Sequence, residues 1–409
     1  MTMNKVAIIG VGHTKFGRLQ EKGLMDLLCE ASLEAIEDAN SSNRDFDSVY
    51  VGVMSPEILN QISGVASALV DRISLIPAAA DDIKNGPASG GSAIKAGFQA
   101  IASGMSELVL VVGGEKMTHI TTPGYVTSNV ATLTHPEAER PHGVSLPSFA
   151  GLLTRAYLEK FDVKLDWISD IAIKNHKNGA LNPNAHFQRT IEDFMKSSIQ
   201  KGRGNWDNVY EFLKDDKANP IIADPLRLFH ICPISDGAAA LVLCNAGKAK
   251  EYCDTPILIS GIGQATDTHI VFEREELTTL NALRLCSEQA YKMAKKSPED
   301  IDVAELHDAF EILEAVQSED IGFFKKGEGA KAAHEGYTQI GGKIPINPSG
   351  GLKARGHPLG ATGVAQVVEL VWQLQGEAGR RQVDDAETGI TCNFGGFGNN
   401  ILSILVERI

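Results

Sequence analysis

Two stretches of this chain, about 250 residues apart, read alike. Val6–Gly12 (VAIIGVG) and Ile257–Gly263 (ILISGIG) are apolar runs closed by glycines. Each is followed by helical apolar spacing, Leu27–Ala39 (LLCEASLEAIEDA) and Leu283–Lys295 (LRLCSEQAYKMAK). A second strand comes next in both copies, Val49–Val53 and Val303–His307, then a helix of small residues, Ala88–Ser103 and Gly360–Leu374. A fully buried strand, Leu108–Gly113, and a last pair, Gly389–Thr391 and Ile401–Val406, complete the pattern. The interval is far longer than the ~20–50 residues of solenoid repeats. The chain is therefore read as an α/β fold made by duplicating one layered unit, with halves 1–250 and 251–409.

Between the halves, roughly Lys116–Asn219, the periodicity weakens and polar, Pro-rich pieces appear. That region is expected to be an inserted loop domain, and Gly322–Gly342 a second long, mobile loop. Hydrophobic residues make up 43%, enough for a large core. The net charge of −14 argues against a nucleic-acid binder. No apolar run reaches the ~18 residues needed to span a bilayer. The start runs straight into a strand without a signal-peptide pattern. The six cysteines form no C-x-x-C pair, so a cytoplasmic, disulfide-free protein is expected, and the absence of His/Cys ligand spacing predicts no metal.

Five segments are chemically dense. Asn347–Gly363 (NPSGGLKARGHPLGATG) surrounds His357 with glycines, Gly356 among them, which suits an acid/base histidine approached closely by a ligand. Thr391–Gly398 (TCNFGGFG) places Cys392 at the end of a strand before the turn at Gly395, where a thiol would open to a cleft. Glu305–Phe310 (ELHDAF) brings His307 out of a buried strand into a helix. Asn85–Ala93 (NGPASGGSA), with Ser89, opens a small-residue helix as an anion nest, an oxyanion donor set or a close-packing device. Lys174–Phe187 (KNHKNGALNPNAHF) offers His176 to a ligand tunnel or to a solvated helix end. The Gly10-x-Gly12 run is no dinucleotide fingerprint, because Lys15 stands where the third glycine belongs.

Taken together, GHPLGATG, CNFGGFG, KNHKN, SDGAAA and HDAF resemble the thiolase superfamily, and HDAF resembles the sterol-carrier-protein-type and archaeal members. The resemblance spans nearly the whole chain. It implies a five-layer α/β/α/β/α thiolase fold, a homodimer core and acyl-CoA substrates, with coenzyme A itself as co-substrate. It further implies a small zinc-ribbon/OB-fold partner. By position, it makes His357 the histidine that activates the thiol, Cys392 the acid/base cysteine and His307 an oxyanion-hole residue. Cys232 and His176 fall near the pantetheine and acyl pocket. One departure matters. Where the family carries its nucleophilic cysteine, this chain has Pro87, which lacks both a thiol and an N–H. The cysteine of H-D-C-F is likewise replaced, by Ala309. Ser89 lies near, but a hydroxyl without a base is a poor nucleophile.

Three readings follow. The first is a thiolase-like acyltransferase acting without an acyl-cysteine on a 3-oxoacyl-CoA, aromatic or branched, such as benzoylsuccinyl-CoA. The second is a retro-aldolase acting on a 3-hydroxyacyl-CoA, since thiolase-like aldolases also lack the nucleophile. The third is a non-catalytic subunit.

Overall fold

The computed structural model describes residues 4–41, 46–120 and 123–409. Its strands are β1 (Val6–His13), β2 (Ser48–Gly52), β3 (Ala79–Ile83), β4 (Leu108–Glu115), β5 (Ile221–Ala223), β6 (Leu226–Arg227), β7 (Gly237–Asn245), β8 (Ile257–Thr266), β9 (Val303–Glu305), β10 (Thr388–Gly395) and β11 (Asn400–Arg408). β5 and β6 form a small hairpin. The other strands make one mixed sheet in the order β3-β2-β4-β7-β1-β8-β11-β10-β9.

The duplication is visible in that order. Read outward from the centre, β1-β7-β4-β2 has the same succession of partners as β8-β11-β10-β9. In each copy the outermost of these pairs is parallel and the inner two are antiparallel. β3 extends the first copy alone. The copies meet at β1 and β8 through three residue pairs, Val6–Ile259, Ala7–Leu258 and Ile8–Ile257.

Helices cover both faces. The Leu24–Asp38 helix packs on β1 and β7, and the Asn281–Ala294 helix packs on β8 and β11. The glycines of the two repeated strands explain this closeness. A Cβ at Gly12 would lie 2.1 Å from the Ala31 carbonyl, and one at Gly263 would lie 1.9 Å from the Cys286 carbonyl. The G-x-G runs thus seat a helix on a strand.

Two small-residue helices, Ser89–Ser103 and Thr362–Gln375, lie between the copies. The second is buried on almost every face and touches strands of both halves, its buried Gln366, Glu369 and Gln373 held by hydrogen bonds or an ion pair. The two helices meet through glycine, with a Cβ at Gly90 falling 2.4 Å from the Gly360 carbonyl. The outer helices, the two copies of sheet and this central helix pair make the α/β/α/β/α layering.

The region expected to be loops is largely helical: Pro123–Val130, Leu146–Phe161, Leu165–Gly179, Ile191–Gln200 and Val209–Lys214. Periodicity failed there for a physical reason. Leu165–Gly179 buries Lys174, Asn175, His176 and Asn178 along with its apolar residues, so its inward face is not hydrophobic. Within Gly322–Gly342, the Gly329–His334 helix buries glycine and alanines, too small to give a periodic signal. No helix of the described residues is long and apolar enough to cross a membrane.

Candidate active site

His307 follows β9, and its backbone is clamped from both sides by one side chain. The His307 N–H donates to Gln317 Oε1 at 2.9 Å, and Gln317 Nε2 donates to the His307 carbonyl at 2.9 Å. The ring stacks on Phe394 of β10, with centroids 5.0 Å apart and planes 3° apart. His357 follows Gly356, whose φ of +111° favours glycine. The His357 N–H donates to Ser235 Oγ at 3.3 Å. The two imidazoles meet edge to face, 5.0 Å between centroids at 90°.

Their hydrogen bonds give them opposite roles. Thr362 Oγ1 donates to the Pro358 carbonyl at 3.0 Å, so it can only accept from His357 Nδ1 at 2.6 Å. His357 therefore carries its proton on Nδ1, and Nε2 is a free base. His307 is the reverse. The Phe394 N–H points at His307 Nδ1 at 3.4 Å, which leaves the proton on Nε2 as a donor. Burial drives both rings neutral. His357 falls to about 3 through burial and then the Arg355 cation. His307 falls well below its ordinary value through burial, then His357 and Arg355.

Both imidazoles line a cavity of about 180 Å³ with Pro87, Cys232, Phe310 and Phe394. Among the described residues no Lys, Arg, Asp or Glu lines it. Developing negative charge there must be held by N–H dipoles.

Pro87 occupies the wall beside the Ser89–Ser103 helix and brings no nucleophile. Three amides of the segment around it already have partners within the protein. The amides of Ala88 and Ser89 donate to the Asn85 and Gly86 carbonyls at 3.0 and 3.1 Å. The Gly91 amide donates to Asn393 Oδ1 at 3.3 Å. Ser89 is fully buried, its hydroxyl donating to the Gly86 carbonyl at 2.7 Å and accepting from the Asn85 N–H at 3.0 Å.

Several anticipated residues lie elsewhere. Cys392 is not at a strand end, because β10 continues to Gly395 by pairing Asn393–Gly395 with Asn400–Leu402. Its thiol is fully buried in the core and pushed well above the ordinary range by burial. His176 is buried away from the cavity, its Nδ1 3.1 Å from the Arg189 carbonyl and its ring stacked on Phe187. Gly356 packs against Ser235 and Phe16, and Gly395 against Asn85; neither forms the wall, although Gly396 does. Cys232 does line it. Sequence reasoning missed Gln317 and Thr362. A hydroxyl five residues past His357, at a helix start, was the signal available for the second.

Asp308, Glu311 and Glu314 bring ligand oxygens within 4.8 Å of one another. Asn175 Nδ2, with two hydrogens to share, lies 2.9, 3.3 and 3.0 Å from one oxygen of each, and Lys174 pairs with Glu314.

The family model "Thiolase, N-terminal domain" matches residues 6–247, and "Thiolase C-terminal domain-like" matches 263–408. An acetyl-CoA acetyltransferase of Methanothermobacter thermautotrophicus is 42% identical, covering 99% of this chain and all of that one. Human sterol carrier protein 2 is 32% identical over 96% of this chain and 70% of its own length. Among solved structures, an Ltp2-ChsH2(DUF35) aldolase superposes with a TM-score of 0.79 at 23% identity, covering 98% of this chain and 97% of that one.

Proposed function

The chain belongs to the thiolase family of acyltransferases, whose members take coenzyme A as substrate, and on that premise we propose that it makes or breaks a C–C bond of a 3-oxoacyl-CoA without an acyl-enzyme. The observation carrying this reading is a base and a donor, His357 Nε2 and His307 Nε2–H, sharing a cavity with Pro87. In the cleavage direction His357 takes the proton of the coenzyme A thiol. The thiolate attacks the 3-oxo carbon, and the alkoxide oxygen is held by the His307 N–H. Breaking the C2–C3 bond leaves a thioester enolate, and the thiol's proton ends on C2. An aromatic acyl group suits walls that include Phe310, Phe394 and Phe397. The aromatic end of a benzoylsuccinyl-type substrate fits that description, whereas its free carboxylate finds no cation among the described wall residues.

Initial rates with coenzyme A and a 3-oxoacyl-CoA varied together are expected to give intersecting lines, with no acyl adduct in the intact mass of the protein. Ping-pong lines with a trapped adduct would overturn the reading. A second reading, retro-aldol cleavage of a 3-hydroxyacyl-CoA, is favoured by the same histidine pair. One base for the 3-hydroxyl and one donor for the enolate complete that reaction. Release of an aldehyde or ketone without added coenzyme A would select it.

The proposal extends to organisation. The halves 1–250 and 251–409 act as one unit in a homodimer core, with a small zinc-ribbon/OB-fold partner and a cytoplasmic location. The DUF35 named in the aldolase neighbour supports such a partner.

A further inference from the structure

Of the six cysteines, Cys232 alone faces the cavity among the described residues. Its segment is bonded to the carriers of both imidazoles. Ile231 bridges to Phe310, and the Cys232 N–H donates to the Ala309 carbonyl at 3.0 Å, two residues past His307. On its other side Ile234 bridges to His357, whose N–H reaches Ser235 Oγ. Cys232 is thereby fixed between the two histidine loops, on the wall they share.

A second observation marks this wall as a place for a reacting group. His307 and His357 are 3% and 6% exposed, and each leaves Nε2 without a hydrogen-bond partner among the described residues while lining the same cavity. Both residues are more than nine-tenths buried, and the partner left for each Nε2 is whatever enters the cavity.

We infer that Cys232 is a further catalytic residue, its thiol delivering the proton to the α-carbon when the C–C bond breaks. This rests on the C–C bond reading above. The coenzyme A S–H proton goes to His357 Nε2, and the thiolate bonds to C3. The C2–C3 bond breaks with its electron pair left on C2 as the thioester enolate. Cys232 Sγ–H gives its proton to C2, and the resulting thiolate takes the proton held by His357. Both side chains return to their starting forms, one hydrogen has moved from sulfur to carbon, and no oxidant or reductant is consumed. Burial pushes the thiol up to about 12, so it meets the enolate in its protonated form.

The test is deuterium exchange at the α-carbon of acetyl-CoA, propionyl-CoA and succinyl-CoA in D2O, read by mass spectrometry beside C–C cleavage. Wild-type protein is expected to exchange at least one of the three. C232A is expected to lose exchange by about 100-fold or more. C232S, which keeps the size of the side chain but has a weaker acid, should lose it to a lesser degree and covers the case in which C232A does not fold. Wild-type-like exchange in folded C232A or C232S overturns the assignment and leaves the C–C bond reading standing. Wild-type protein that neither exchanges nor cleaves overturns both.

Discussion

The two halves share a strand order but not a chemistry. In the first half, the loop before the central helix carries Pro87, and its amides are turned onto Asn85, Gly86 and Asn393. In the second half, the equivalent loop carries His357 with a free Nε2, and His307 lies two residues past the end of β9 at Glu305. Both helices are packed through glycine, so the same backbone device supports an inert loop in one copy and a reactive loop in the other. Duplication therefore supplied the scaffold twice, and chemistry depends on which side chains face the shared cavity.

That contrast can be broken in order of effect. Replacing His357 by Ala is expected to lower turnover by about 10²-fold or more with little change in melting temperature. A near-wild-type rate would move the chemistry elsewhere. Gly363→Ala tests the packing between the copies, because its Cβ would fall 2.4 Å from Asn393 Oδ1 and 2.5 Å from the Gly91 nitrogen. It should cost about 1–3 kcal/mol in urea denaturation.

The buried imidazole predicts a pH signature. His357 is neutral in the fold, with its value near 3, against 6.5 when unfolded. Below pH 6.5 the unfolded chain binds the extra proton, so the stability this neutral ring contributes is complete above 6.5 and is lost as pH falls toward 3. The loss is about 1.4 kcal/mol per pH unit. Asp308 and Glu115, raised by burial to about 7, act oppositely and favour the fold as pH falls through that range. The difference between wild type and H357Q at pH 7.5 and pH 5 isolates the histidine, and no change in that difference would contradict a neutral ring. The smallest effect belongs to the silent copy. Pro87→Ala should keep turnover within about threefold of wild type, and a large loss would give the first half a chemical role.

The duplicated order was legible because strands buried on both faces, such as LVLVVG, and glycines under helices leave strong local patterns. That His307 and His357 stand out as candidates was legible because each lies in a dense motif, and the structure places both on one cavity wall. Cys392 misled because β10 runs three residues past it, to Gly395, before the glycine turn begins, which leaves the thiol in the core. His176 misled because a helix that buries its polar face looks like a solvated one. The tautomers could not be read at all. They depend on Thr362 Oγ1 and the Phe394 N–H, one across a turn and the other 87 residues from His307.

The junction of the copies at Val6–Ile8 is only three residue pairs wide, yet the Thr362–Gln375 helix rests against strands of both. Cutting the chain between them would strip the first copy of its inner roof and leave β1 with bare amides and carbonyls along one border. Such an orphan has every reason to seek another chain's strand. The molecule is indivisible for mechanical reasons, quite apart from any need to gather its reacting groups.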